Sequence, residues 1–142
     1  MFNPTRDQSR QFLFDVWGKH REKAPLTPLE SMALAIVLEH PEYHAVLEDR
    51  ERYLDGEWKP EGGETNPFLH ISMHLAIEEQ VSIDQPPGIR SAVEKLAAHR
   101  GSMHDAQHDV MDCLAEVIWQ AQRNGAGFDN ATYLQCLDRK TR

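Results

Sequence analysis

NPFLHISMHLAIEEQVSIDQPPG, running from Asn66 to Gly88, is the stretch whose reading decides the fold. Its middle has the length of a helix of about five turns, and at about 100° per residue its apolar positions point in almost every direction. They are Phe68, Leu69, Ile71, Met73, Leu75, Ala76, Ile77 and Val81. A helix that is apolar all round is normally enclosed by protein. His70 and His74 sit on one face of that cylinder, one turn apart, with Glu78 a turn further on and Glu79 and Gln80 beside it. Enclosed polar groups need partners, and charged ones need them more. A metal ion is the partner this reading assigns.

Working outward, no stretch alternates with period two, so no sheet is expected. The fold class is all-α, a single-domain helical bundle of about five to seven helices around a buried central helix over residues 67–83. A chain of 142 residues has the length of one domain and buries roughly 70% of the surface its unfolded form exposes. It therefore needs no disulfide framework. Cys113 and Cys136 are far from any CxxC spacing, which fits two thiols in a reducing compartment and argues against a thiolate zinc site or a redox pair. The opening MFNPTRDQSR lacks the apolar run of a signal peptide, and no apolar run is long enough to span a bilayer. The expected location is cytoplasmic, with no membrane partner. A net charge of −8 and a pI near 5.4 repel a nucleic-acid backbone, so no nucleic-acid partner is expected either.

Upstream, Pro4 to Lys23 carries a stripe of Phe12, Leu13, Val16 and Trp17, the first helix. Thr27-Pro28-Leu29-Glu30 is a capping box with proline at the first helical position, ahead of the apolar run from Met32 to Leu38. At His40-Pro41 that helix should break, because a residue before proline avoids the α region, and Pro41 then opens a new turn carrying Tyr43, His44 and Leu47. Glu48 to Thr65 has no sustained period and reads as a long connection, the kind of loop that often serves function. Asn66-Pro67 repeats the cap-plus-proline signal, and Gln85-Pro86-Pro87-Gly88 closes the central helix. Downstream, a helix from Ile89 to His99 is stopped by Gly101, and Ser102 caps another that runs to about Arg123. After a turn over Asn124 to Gly127, Asp129 or Asn130 caps a last helix through Leu137. Trp17, Trp58 and Trp119 read as core or loop anchors, Met73 and Met111 as core fillers.

Six of the eight histidines form i, i+4 pairs: His40 with His44, His70 with His74, and His104 with His108. Chance placement gives roughly 0.4 such pairs for this composition. Spacing of four puts two imidazoles on one helix face within reach of one ion. If the helix after Pro87 runs back along the central helix and the next returns, the second and third pairs lie at similar depth on parallel helices. The expected shell is His70, His74, His104 and His108, with Glu78 and His44 to complete it and His40 as a further candidate. Imidazole and carboxylate donors without sulfur suit iron or zinc. His20 and His99 read as ordinary surface residues. There is no HExxH, Glu-x-x-His, GxSxG, P-loop or GxGxxG, so no motif dictates a reaction or a catalytic residue.

The run EGGETNPFLHISMHLAIEEQVSIDQPPGIR from Glu61 to Arg90, with FNPTRDQSRQF, HPEYH and DCLAEVIWQAQR elsewhere, resembles the bacterial family known as domain of unknown function 1841. The resemblance implies a small bacterial cytosolic protein and carries no activity with it. In architecture alone, a histidine-paired helical bundle also resembles hemerythrin-like and DinB-like metal bundles, though their ligand spacings do not map onto this chain. Two functions stand against each other: a metal-binding bundle, and a non-catalytic interaction or structural protein whose histidines are core or pH-sensing residues. Enzyme activity depends on an open coordination position. A protein or small-molecule partner and self-association into a homo-oligomer are left open by the sequence.

Overall fold

Helix signals dominate the chain, and the structure, a computed structural model, is helical wherever it is regular: residues 6–56 and 66–142 are described, and among them there is no strand. The described residues form eight α-helices and one 3-10 turn, which divide into two compact units, one ending at Leu75 and one beginning at Ala76.

In the first unit, α1 spans Arg6–Glu22 and is left through Lys23 in the left-handed region, φ 58°. Helix α2 (Pro28–Leu38) begins with the expected capping box: Thr27 Oγ1 accepts from the Glu30 amide, and Glu30 Oε1 accepts from the Thr27 amide. The other Glu30 oxygen accepts from Lys19 Nζ at 2.7 Å, tying α2 to α1. The chain breaks before Pro41 as the proline requires. A 3-10 turn over Pro41–Tyr43 leads into α3 (His44–Glu48) and then α4 (Arg50–Tyr53), whose Asp49 cap accepts from the Arg52 amide. Two short helices therefore occupy ground that the sequence assigns largely to one turn and a loop, and they raise the helix count above seven. Residues 57–65 of that connection, Trp58 among them, lie outside the described residues.

The core here joins Leu13, Phe14, Val16 and Trp17 of α1 to Ala33, Ile36 and Val37 of α2, Leu47 of α3, and Phe68, Ile71 and Leu75 of the central helix. Arg10, only 3% exposed, lies in this apolar setting. Its guanidinium donates to the carbonyls of Leu54 and Gly56 at 2.9 and 2.7 Å and lies over the Phe68 ring.

The central helix, α5 (Pro67–Ile83), has the expected limits and passes from the first unit into the second. Asn66 Oδ1 accepts from the amides of Phe68 and Leu69 and caps it, while Pro67 needs no partner at the first position. Only Leu69, Ser82 and Ile83 along it are exposed. At its C-terminus Asp84 takes φ 53°, and its carboxylate accepts from the amides of Gly88 and Arg90. Arg90 returns the contact by donating to the Val81 and Ser82 carbonyls, which have no partner within the helix.

In the second unit α6 (Ile89–Arg100) ends at Gly101 in the left-handed conformation, φ 78°, which a side chain would strain. Ser102 caps α7 (Met103–Asn124), and Asp129 caps α8 (Asn130–Lys140), about a turn longer than its apolar pattern suggests. The three helices pack on one another and bury Ile89, Val93, Leu96, Val110, Leu114, Val117 and Leu137. Tyr133 is fully enclosed, and its hydroxyl donates to Gln80 of α5 at 2.7 Å. Its burial raises the phenol well above the usual range.

Two expectations are corrected. Cys113 and Cys136 are not separate thiols: α7 and α8 bring their Cα atoms to 5.8 Å, and they form a disulfide. Their spacing of 23 residues gave no hint of this, because the pairing depends on where the turn between the helices falls. Trp119 is no core anchor. It is 52% exposed, with the Arg123 guanidinium over its ring. No helix among the described residues is long and apolar enough to cross a membrane.

Candidate metal centre

Three histidines meet in the first unit, brought there by two different backbone devices. His70 and His74 owe their alignment to the helical repeat of α5, which stacks the rings at a centroid distance of 4.9 Å. His40 comes from the break after α2. Held before Pro41 at φ −125° and ψ 67°, it leaves the helical path, and its ring turns inward until it is 3% exposed. His40 lies 4.9 Å from His70 and 4.8 Å from His74 by ring centroids. One ring nitrogen from each of the three can be chosen so that all lie within 4.8 Å of one another.

Hydrogen bonding fixes one tautomer. His40 Nδ1 stands 2.8 Å from the Ile36 carbonyl oxygen, which can only accept, so Nδ1 carries the proton. In the neutral ring the lone pair is then on Nε2, and that atom faces His70 Nε2 at 3.2 Å. A ligating histidine commonly donates its second nitrogen to a carbonyl in this way, which sets the ring's orientation and raises its basicity. Two nitrogens about 2.0–2.1 Å from one ion at a tetrahedral angle stand roughly 3.3–3.4 Å apart, close to the spacing seen.

The surroundings are aromatic and apolar. Tyr43 stacks on His40 at 5.5 Å and 6° and meets His70 edge-on at 5.9 Å. Burial, and then the charge of Glu42, push its phenol up. Phe68, Ile71 and Leu75 on α5 and Ile36 and Val37 on α2 are buried. Within the first unit's described residues no Asp, Glu or Cys joins the three imidazoles.

One candidate of the first unit stands apart from the three. His44 follows His40 by four residues, but the two rings do not share a helix face: His44 Nε2 donates to the Val37 carbonyl at 2.9 Å, and the ring packs on Trp17 at 4.5 Å. In the second unit His104 and His108 pair on α7 at 4.4 Å, edge to face. Glu78 accepts a hydrogen bond from the buried Gln107 amide. Asp109 is engaged by Arg100 at 3.0 Å. His20 and His99 are exposed. Sequence reasoning missed the Ile36 carbonyl, which no side-chain pattern reveals, and Tyr43 as a ring partner, although HPEYH places it three residues after His40.

In comparisons with curated proteins and with solved structures, nothing matches the chain. A family model does match, over residues 5–139, nearly the full length. The chain therefore belongs to the family described as domain of unknown function 1841.

Proposed function

We propose that this protein binds a divalent transition-metal ion through His40, His70 and His74. One observation carries the reading: three imidazoles from two separated segments converge in the interior, with His40 oriented by a backbone carbonyl so that its Nε2 faces a second ring at 3.2 Å. Donors made only of nitrogen suit zinc, iron(II) or a neighbouring first-row ion, and geometry selects among them. The i, i+4 spacing of His104 and His108 proposes them, with Glu78, as further donors. An open position would let the ion activate water or polarise a substrate oxygen, which is the route to enzyme activity.

Calorimetric titration of the apo chain with zinc tests the proposal. The expected result is one zinc per chain, lost in His40→Asn and in the double variant His70→Asn/His74→Asn, with helical circular dichroism retained. Loss in His104→Asn/His108→Asn would bring those residues into the shell; unchanged binding would remove them. Wild-type protein that binds no zinc, iron or cobalt would overturn the reading.

The spacing of 3.2 Å also suits an N–H···N hydrogen bond, which supports a second reading in which the cluster is a structural imidazole network in a protein of the interaction class. On that reading the histidine variants lose stability without the wild type ever binding metal.

A further inference from the structure

We propose that the exposed face of α7 joins two copies of this chain, the two helices lying antiparallel about a two-fold axis beside Trp119. Trp119 is 52% exposed. A tryptophan left open to water keeps a large apolar area uncovered, and such rings are among the side chains on which protein interfaces most often depend. At about 100° per residue, Asp112, Glu116, Trp119 and Arg123 fall within an arc of about 60° and form one stripe along α7. All four are exposed. Val110, Cys113, Leu114 and Val117 face the other way and are buried. The stripe is acidic toward the N-terminus of the helix and basic toward its C-terminus, with the ring between. Asp112 has Lys140 at 3.9 Å. Glu116 accepts from the neutral amide of Gln120 at 2.9 Å, and the Arg123 guanidinium lies over the Trp119 ring at 5.1 Å. Among the described residues neither Glu116 nor Arg123 has an ion-pair partner.

The order of these groups is self-complementary. A symmetric pair that sets Glu116 opposite Arg123 of the other copy has its axis midway between them, half a residue past Trp119, or about 0.75 Å along the helix. The register that pairs the charges is therefore the register that brings the two rings together, and the two-fold makes each charge pair twice. A parallel pair in register would instead set Glu116 against Glu116 and Arg123 against Arg123, which repel. Exposed ion pairs contribute little each and weaken in salt, so Trp119 supplies most of the affinity while the charges fix direction and register. The face is one helix wide, and the dimer should be reversible, with a dissociation constant in the micromolar range.

Sedimentation equilibrium of the full chain over a range of concentrations tests this, with EDTA present so that no metal bridges two copies and the outcome is independent of the metal-binding reading. The expected result is a monomer–dimer equilibrium in wild type. Trp119→Ala should raise the dissociation constant at least about tenfold, with helical circular dichroism retained because the ring is outside the core. Glu116→Arg and Arg123→Glu should each weaken the dimer several-fold, since each sets like charges opposite one another. The double variant Glu116→Arg/Arg123→Glu should recover most of that loss, because the exchanged charges pair again in the same register. Wild type that remains monomeric up to about 1 mM would overturn the inference. A dimer that Trp119→Ala leaves unchanged, or a double variant no tighter than the single ones, would overturn it as well.

Discussion

Several side chains in this protein are held by backbone carbonyls. Arg10 is the clearest case, because a buried guanidinium donating to Leu54 and Gly56 couples α1 to the end of α4. Charge-assisted hydrogen bonds of this kind are worth roughly 1.5–3 kcal/mol each. Arg10→Met, which keeps the apolar stem, is expected to lower unfolding stability by about 2–3 kcal/mol in urea melts. Glu30 acts through pH. Its hydrogen bond from Lys19, followed by the one from the Thr27 amide, holds its carboxyl below the usual range. A carboxyl depressed in the folded state stabilises above its unfolded pKa, and that contribution is lost as pH falls through the folded value. Glu30→Gln should therefore be less stable than wild type at pH 7, and the gap should narrow as pH falls below the usual carboxylate range; a gap unchanged throughout the acid range would contradict this. The same scale explains what the sequence revealed of the centre. The spacing of His70 and His74 is visible because α5 is regular. The turn of the His40 ring is not, since it depends on the backbone before Pro41 and on which carbonyl lies behind it.

Element boundaries were the most legible level, and the reason is local chemistry. Thr27 with Glu30, Asn66 with Pro67, Gly101 with Ser102, and Asp129 each cap or stop a helix through groups a few residues away, so spacing alone reports them. Removing the Asn66 cap tests one such signal: Asn66→Ala should cost about 1 kcal/mol. It should also weaken metal binding, because it frays the turn that leads to His70. Helices α3 and α4 were hidden because four or five residues carry too little period to register. The disulfide was hidden for the opposite reason, being a contact between elements. Closing a loop with a sequence separation of 23 residues restricts the unfolded chain by about 3 kcal/mol in the loop-entropy model. Reduction, or Cys113→Ser/Cys136→Ser, should lower the stability of the second unit by about that amount. Zinc binding by the three first-unit histidines should survive, and its loss would show that the disulfide supports the centre as well.

For the whole molecule, helix class and family follow from the chain, whereas chemistry depends on a handful of groups. Two units are built differently: one packs short helices and a broken turn around α1, and the other packs three regular helices locked by a disulfide. The irregular one gathers the imidazoles, because a break in a helix can aim a ring that a regular surface would not. Three i, i+4 pairs of histidines are the feature of the sequence that suggests a metal. The structure brings together one whole pair and half of another in the first unit. The most direct measurement is an anomalous-scattering map from crystals of tag-free protein grown with zinc, recorded on both sides of the zinc edge. The account predicts a single strong peak within about 2.0–2.1 Å of Nε2 of His40 and of ring nitrogens of His70 and His74. Ordered rings at those three positions with no peak between them, and His40 and His70 joined directly by a hydrogen bond, would contradict it.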